Sequence, residues 1–297
     1  MNYGRGTFIV LGILPVLFFI CLGYSYFIEP LRLVVNEKII YVDGWENDFD
    51  SFRIILISDI HGGSNGVDES KIQLIVETAN AQNADMIVLL GDYVSQAHTD
   101  KSIIGRSLKM PIETIAAHLA GLRAKSGVVA VLGNHDGWFS SEKIRAELER
   151  VGIKVLDHEI AFVERNGKRL RIIGLRDHLS VENWDAFSIE AKKLLAASEG
   201  TGNVIVLEHS PDVLPMITGD LWITRDPMVM LAGHTHGGQV WFPILGYPIV
   251  PSSYGQRYAA GHVKEGGADM FVTTGIGTSI LPFRFLVPPE IAVITIK

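Results

Sequence analysis

Two histidines, His234 and His236, stand one residue apart in the sequence Gly-His-Thr-His-Gly-Gly at residues 233–238. The apolar run just before it, residues 228–232, is typical of a buried strand. The glycines let the main chain turn sharply after that strand and approach a neighbouring group closely. Imidazole is the commonest protein ligand for zinc-like transition metals. By themselves, the two histidines are consistent with either a metal site or a polar turn.

Four more strand ends carry side chains of the same chemical kind. They follow apolar, β-branched runs at 52–57, 86–90, 128–132 and 204–207. Their carboxylate, amide and imidazole groups belong to Asp59, His61, Asp92, Asn134, His135 and His209. Such a mixture suits two borderline divalent ions, Mn²⁺, Fe or Zn²⁺, that share a carboxylate, as in two-metal hydrolytic sites. A closed structural zinc site is not expected, because the chain has only 1 cysteine.

The elements around these strand ends alternate between strand and helix. Apolar residues at helical spacing predict helices at 69–82, 111–124, 140–151 and 187–197. Further strands are predicted at 31–43 (one or two strands), 153–156, 160–165, 169–174, 270–274 and 291–296. This order predicts an α/β fold with a largely parallel sheet, whose loops at the carboxyl ends of the strands carry the function.

The bulk composition narrows the class of protein. A chain of 297 residues can bury a substantial core as one large domain or two smaller ones. Its net charge of −7 argues against nucleic acid as a partner. It also suggests that an anionic substrate is bound by a local cationic centre. Cys21, the one cysteine, can form no disulfide within the chain.

The amino-terminal segment has the composition of a membrane span. No charged residue lies between Arg5 and Glu29, and residues 8–28 are mostly Leu, Ile, Val and Phe. About 20 apolar residues suffice to cross a bilayer. We therefore predict a membrane anchor over residues 1–30 and a catalytic domain over 31–297. A cleaved secretory signal and a buried core helix are the competing interpretations. The flanking positive charges slightly favour an exported domain without deciding which side of the membrane it faces.

Five motifs follow one another along the chain: Asp-x-His at 59–61, Gly-Asp at 91–92, Gly-Asn-His-Asp at 133–136, the lone His209 and Gly-His-x-His at 233–236. Each is weak alone, but their order resembles the signature of the calcineurin-like metallophosphoesterases. The resemblance covers residues 52–297. It is greatest to the bacterial membrane-anchored or exported branch, which shares Gly-His-Thr-His-Gly-Gly-Gln at 233–239 and Gly-x-Gly-Thr-Ser at 275–279. That branch implies a single-pass protein of the bacterial cell membrane.

The resemblance implies a fold and a set of ligands. The fold would be a four-layer α/β/β/α sandwich, with two sheets face to face and helices outside. The expected ligands are divided between two divalent ions. One ion would be held by Asp59, His61 and His236, the other by Asn134, His209 and His234, and Asp92 would bridge them.

The resemblance also implies a reaction, the hydrolysis of a phosphate ester or pyrophosphate by a metal-bridging hydroxide that attacks phosphorus. His135 would face the phosphate, where it stabilises the transition state or protonates the leaving group. Asp136 would orient His135 through a hydrogen bond. One departure concerns the loop after Asp92, because Ser95 stands where the family often has Asp or Asn. Contacts to the substrate near Ser95 are therefore expected to differ.

Several side chains admit both a functional and a structural interpretation. Arg284 suits a phosphate clamp or a structural pairing with a carboxylate. Trp138 and Phe139 follow the Gly-Asn-His-Asp motif and could flank the substrate or pack in the core. Surface or satisfied polar roles are expected for the histidines outside the motifs, which are His98, His118, His158, His178 and His262.

The loop at 240–254 and the anchor bear on the substrate. Core packing is expected for Trp241 and Phe242, and an exposed apolar lip for residues 244–250. Such a lip next to a membrane anchor favours a lipid-linked phosphoester or a nucleotide-linked glycolipid such as UDP-diacylglucosamine. Two alternatives remain open. One is a broad phosphodiesterase or phosphomonoesterase acting on soluble or cell-wall compounds, and the other is a non-catalytic metal-dependent scaffold.

Overall fold

The computed structural model describes residues 3–97, 107–198 and 202–297, with side chains from residue 14 onward. The α-helices in this part of the chain, α1 to α7, are Tyr3–Phe27, Glu69–Ala81, Ile112–Leu119, Asn134–Phe139, Ser141–Arg150, Trp184–Ala197 and Leu214–Thr218. The strands, β1 to β12, are Val34–Ile40, Phe52–Ile57, Met86–Leu89, Val128–Ala130, Lys154–Val155, Glu159–Arg165, Lys168–Gly174, Val204–Leu207, Met228–Ala232, Gly261–Glu265, Ala268–Val272 and Glu290–Ile296.

The strands form two six-stranded sheets. The first has the order β1-β12-β2-β3-β4-β5 and the second β10-β11-β9-β8-β7-β6. Only the pairs β2–β12, β6–β7 and β10–β11 are antiparallel. The parallel pairs β2–β3, β3–β4, β7–β8 and β8–β9 bring the carboxyl ends of neighbouring strands to the same sheet edge. The expected largely parallel pairing is confirmed.

Alternation along β2 shows how the layers are built. Ile54 and Leu56 pack into the apolar cluster between the two sheets, and Ile55 and Ile57 pack against α2, α3 and α5 on the outer face. All four side chains are at most 1% exposed. Burying a side chain of this size contributes about 1.5–3 kcal/mol. A third cluster packs α6 and α7 onto the outer face of the second sheet. The four-layer α/β/β/α sandwich is therefore confirmed.

The predicted elements match the observed ones apart from a few short pieces. The region 31–43 contains a single strand, Val34–Ile40. The sequence pattern did not indicate α4, α7 or β10. These elements have only 5 or 6 residues, too few to display a period. His98, for which a polar surface role is expected, lies outside the described residues.

Helix α1 has 25 residues and would be roughly 37 Å long at the α-helical rise. The stretch Leu14–Leu31, which begins within α1 and ends just beyond it, has a mean hydropathy of 1.6, and 17% of it is buried, so by length and composition it is a candidate membrane span. The carboxyl end of α1 is fixed to the rest of the chain. Asn65 Nδ2 donates to the carbonyls of both Tyr26 and Pro282, at 2.8 Å each.

Candidate metal centre

The expected ligands lie on tight turns directly after the strands. Five of them, Asp59, His61, Asp92, His234 and His236, have φ between 46° and 69°. This left-handed backbone region costs a residue with a side chain about 1–2 kcal/mol. Strain of this kind persists where the surrounding structure imposes it, and it clusters at functional sites. Main-chain bonds across the sheet edge impose it here. Asp59 N donates to Gly91 O, and His61 N donates to Asp92 O, at 3.0 Å each.

The first group of side chains consists of Asp59, His61 and His236, whose ligand atoms lie within 4.8 Å of one another. The Nε2 atoms of His61 and His236 are 3.2 Å apart, and His236 Nε2 is 3.5 Å from Asp59 Oδ1. Asp59 Oδ1 is buried and has no hydrogen-bond partner. A buried carboxylate oxygen without a partner is costly, and a bound cation would satisfy it.

The second group consists of Asp92, His209 and His234, again within 4.8 Å. His209 Nε2 is 3.2 Å from His234 Nδ1. The other ring nitrogen, His209 Nδ1, lies 2.7 Å from Leu90 O, which fixes the orientation of the ring. Asn134 Oδ1 is buried without a partner, so it is also free to bind a cation.

Asp92 lies between the two groups. Its Oδ2 is 3.5 Å from Nε2 of His61 and 3.3 Å from Nε2 of His209. Its Oδ1 accepts a hydrogen bond from His135 N at 2.8 Å. Burial acts to raise the pKa of Asp92, but the neighbouring histidines outweigh it and hold that pKa well below its ordinary value. The carboxylate is therefore charged and faces both groups.

The donor atoms fit divalent ions. Burial, followed by His135, lowers the pKa of His61 to about 3. Burial, followed by His209, lowers the pKa of His234 to about 4. Neutral imidazoles are the form that binds metals, and a mixed imidazole and carboxylate set suits transition ions. These two His and Asp groups could therefore bind divalent metal.

His135 is held by a residue that the sequence did not reveal, Gln96. Gln96 Nε2 donates to His135 O at 2.7 Å, so the amide oxygen is the atom that faces the ring. His135 Nδ1 lies 2.7 Å from Gln96 Oε1 and must carry the proton, because Oε1 can only accept. His135 Nε2 is then directed elsewhere, 3.4 Å from Ser279 Oγ.

The hydrogen bond expected between Asp136 and His135 is replaced by others. Asp136 is fully buried, and its two oxygens accept the main-chain N–H groups of Asp92, Tyr93 and Gly133 at 2.8–2.9 Å. Because α4 begins at Asn134, Asp136 stands in its first turn and points back at the preceding loops. That part of the prediction is wrong. Asp136 fixes the loop of Asp92, and Gln96 orients His135.

A cavity of about 500 Å³ opens over the two groups. Its walls include Asp92, Asn134, His135, His234 and His236 on the polar side. Its apolar walls are formed by Trp138, Leu179, Ile249, Ile280 and Leu281. The Trp138 ring lies 4.6 Å from that of His135, centroid to centroid, whereas Phe139 packs against the core. Of the two aromatic residues, Trp138 therefore flanks the site.

Arg284 fulfils neither of its two expected roles. It is fully buried, and its guanidinium donates to the carbonyls of Thr274, Gly277 and Val287. Its Nη2 lies 3.3 Å from Nδ1 of His236, on the side of the ring away from Asp59. It therefore supports the main chain behind His236 instead of pairing with a carboxylate or lining the cavity.

The histidines outside the motifs have mostly structural partners. His118 pairs with Glu69, His262 with Asp269, and His158 lies 3.3 Å from Phe187 O. His178 differs, because it forms a further, partly buried group with Asp177 and Glu208, and its ring lies 6.0 Å from that of His234. Burial, followed by Asp177, raises the pKa of Glu208 well above its ordinary value.

The lip expected at residues 244–250 is exposed. Ile244 is 96% exposed, and Leu245 and Ile249 are 66% exposed. Trp241 is half-buried, but Phe242 is 38% exposed, so the core role expected for Phe242 is wrong. Phe242 instead packs on Phe285, with ring centroids 5.6 Å apart.

Comparisons with known proteins agree with this geometry. The family model described as calcineurin-like phosphoesterase matches residues 52–238. The metallophosphoesterase YkuE of Bacillus subtilis is 29% identical over 281 residues, which cover 93% of this chain and 89% of YkuE. The phosphodiesterase YaeI of Escherichia coli is 27% identical over 277 residues, 92% of this chain and 91% of YaeI. A zebrafish transmembrane protein with a metallophosphoesterase domain is 28% identical over 282 residues, 91% of this chain but only 58% of that protein.

Proposed function

The chain belongs to the calcineurin-like phosphoesterase family and is a metal-dependent phosphoester hydrolase, and from this premise we propose a finer function. The protein acts with two divalent ions, Mn²⁺, Fe or Zn²⁺, as a phosphodiesterase or pyrophosphatase on a lipid-linked phosphoester. One observation carries the two-ion proposal. Asp92 Oδ2 lies within 3.5 Å of a ring nitrogen from each group, as a shared ligand must.

We propose the division of residues between the ions that the family resemblance implies. Asp59, His61 and His236 would hold one ion, Asn134, His209 and His234 the other, and Asp92 both. Bound there, the ions would polarise the phosphoryl oxygens and lower the pKa of water towards 7, which supplies a nucleophile. The chain itself supplies an apolar wall on one side of the cavity with Trp138 and Ile280.

His135 contributes a proton. Gln96 keeps the Nδ1 proton of His135 in place and leaves Nε2 for the substrate side of the ring, which lines the cavity. The imidazolium would donate from Nε2 to the leaving oxygen and be stabilised at Nδ1 by the Gln96 amide oxygen. Asp136 holds the loop that carries Asp92 and acts on the reaction only through that loop.

Substitution of Asp92 tests this function. The full chain in detergent would be assayed with bis(p-nitrophenyl) phosphate and Mn²⁺, together with its metal content. Asp92→Ala should abolish turnover, His135→Ala should keep the metal and lose most of the rate, and the exposed control Asp50→Ala should change neither. Unchanged turnover in Asp92→Ala would refute the assignment, and metal loss in His135→Ala would show that His135 is a ligand.

The apolar surroundings of the site support a lipid-linked substrate. Leu179, Ile249 and Ile280 line the cavity and are 57–80% exposed at its mouth. Residues 1–30 would be a single membrane anchor and 31–297 the catalytic domain, which keeps this mouth near the bilayer. UDP-diacylglucosamine is one member of the substrate class. The name of the YaeI relative supports a diester substrate.

A substrate panel separates the alternatives. UDP-diacylglucosamine, nucleotide sugars and bis-aryl phosphates would be compared on the anchored enzyme, with Ile244→Ser/Leu245→Ser as the variant of the lip. A selective loss on the lipid substrate supports the proposal. Equal losses on lipid and soluble substrates would favour the broad phosphodiesterase, and no turnover of any compound would favour the non-catalytic scaffold.

A further inference from the structure

A second cavity, of about 580 Å³, lies between α1 and the segments that follow the Gly-His-Thr-His turn. We call it the helix groove. One wall is a stripe of α1, made of Leu14, Leu17, Phe18, Cys21, Leu22 and Ser25. The spacing of i, i+3, i+4, i+7, i+8 and i+11 places these residues on one face of the helix. The opposite wall includes Val240, Phe242 and Phe285.

The helix groove adjoins the cavity over the metal centre, and three residues that line both mark the boundary between them. They are Gly238, Ile249 and Leu281. A Cβ on Gly238 would lie 2.4 Å from Ile249 O, so only glycine permits this close approach of the two main chains. Gln239 Nε2 donates to the carbonyls of Leu281 and Phe283 at 2.7 and 2.8 Å, which fixes the position of the segment that contains Leu281.

Hydrogen bonds set the position of the carboxyl end of α1 against the rest of the domain. Arg284 N donates to Ser25 O at 3.1 Å, and Lys71 Nζ donates to Leu31 O at 2.7 Å just beyond the helix. Glu29, in the turn that follows, is fully buried. The end of the helix is therefore part of the folded domain, and the wall of the helix groove has a defined place relative to the metal centre.

The chemistry of the helix groove selects its occupant. Among the side chains that the structure describes, none that lines it is charged, and the one hydroxyl, Ser25 Oγ, already donates to Cys21 O at 2.6 Å. A phosphate or sugar would find no partner there, whereas a hydrocarbon chain would. The helix that forms the wall has the composition of a membrane span, so a lipid could enter from the bilayer.

We propose that the helix groove holds an acyl chain of the substrate while the phosphoester reaches the metal centre past Gly238, Ile249 and Leu281. The amino-terminal helix would then form one wall of the substrate site in addition to anchoring the protein. This inference rests on the proposed function, because it takes the metal centre as the place where the phosphoester is cleaved.

The test uses two substrates with the same leaving group, methyl and hexadecyl p-nitrophenyl phosphate, with the full chain in mixed micelles. The quantity measured is the ratio of kcat/KM for hexadecyl to methyl, in which the fraction of active protein cancels. Cys21→Trp places a large ring in the groove and should lower the ratio at least tenfold, which corresponds to about 1.4 kcal/mol. The matched control is Val16→Trp, because Val16 is 57% exposed, does not line the groove and should keep the ratio.

The outcomes distinguish failure of the acyl groove from failure of the proposed function. An unchanged ratio in Cys21→Trp, with both substrates hydrolysed, would overturn the acyl groove and leave the phosphodiesterase intact. No turnover of either substrate by the wild-type protein would overturn the proposed function itself.

A binding measurement tests whether the groove holds an acyl chain without relying on turnover. Cys21 is the only cysteine of the chain and it lines the groove, so its reaction with a maleimide reports occupancy. Hexadecylphosphonate, which is not hydrolysed, should slow the labelling at least threefold, and ethylphosphonate should not. Equal labelling rates would overturn the inference. The inference would also be overturned if the protein were a dimer in which α1 of a second copy fills the groove. In that case the wild-type protein would be dimeric and the Cys21→Trp variant would dissociate to monomers.

Discussion

Gln96 offers the sharpest test of the site, because within the described part of the chain its side chain bonds only to His135. Its amide bonds both Nδ1 and the carbonyl of His135, at 2.7 Å each. In Gln96→Leu the ring loses the acceptor that fixes its tautomer and supports its charge when Nε2 is protonated. Gln96→Glu keeps an acceptor at Nδ1 and loses the donor to the carbonyl, so it separates the two contacts.

The size of the effect follows from the type of bond. A hydrogen bond to a charged partner contributes about 1.5–3 kcal/mol. If the bond stabilises the protonated ring that donates to the leaving oxygen, and its loss removes the whole of this contribution, kcat falls by about 10- to 150-fold, at 1.36 kcal/mol per factor of ten. Substitution of residues that orient functional imidazoles typically lowers activity by about 10- to 100-fold, which agrees.

The assay compares a poor with a good leaving group. A proton donor matters most for an alkoxide, so Gln96→Leu should slow dimethyl phosphate-type diesters by the full factor and p-nitrophenyl esters by less. Gln96→Glu should recover most of the rate. Gln73→Leu, an exposed glutamine on α2, is the matched control and should have no effect. Rates within twofold of wild type for the alkyl ester would refute the role of Gln96, and loss of metal would show that it acts on the ligands instead.

Two further predictions concern stability. Gly91 and Gly127 both have positive φ, but a Cβ on Gly91 would lie 2.5 Å from Gly133 N, whereas a Cβ on Gly127 would meet open space. In urea unfolding, Gly127→Ala should lower the free energy of unfolding by about 1–2 kcal/mol, and Gly91→Ala should lower it clearly more. Equal losses in the two variants would contradict the steric argument. Burial lowers the pKa of His158 below its ordinary value, so the unfolded chain takes up a proton below about pH 6.5 that the folded chain refuses, and stability falls as the pH falls. His158→Asn should therefore flatten the dependence of the unfolding free energy on pH between pH 7 and 5, and an unaltered slope would show that other groups cause it.

The parts of the fold that could be predicted are the strands and helices whose apolar residues form a continuous run or recur at a regular spacing. The strands β2, β3, β8 and β9 are apolar on both faces because helices cover one face and the opposite sheet covers the other. Their sequences are therefore continuous apolar runs, which predict buried strands. The side chains of the two candidate metal groups could be located for the same reason, since each lies shortly after an apolar run of this kind. The short helices α4 and α7 have 6 and 5 residues, fewer than two turns, so an apolar position is hardly repeated and the pattern did not predict them.

Asp136 and Gln96 show why the supporting residues were harder to predict than the ligands. Metal ligands must be particular residue types, which narrows the search to a few letters. The partners of Asp136 are N–H groups 3, 43 and 44 residues away, and every residue except proline has one. The ligand loops, held at positive φ, are thus kept in place largely by main-chain bonds between neighbouring strand ends. A side chain that completes such a set, as Asp136 does, is recognised only once the sheet has brought the loops together.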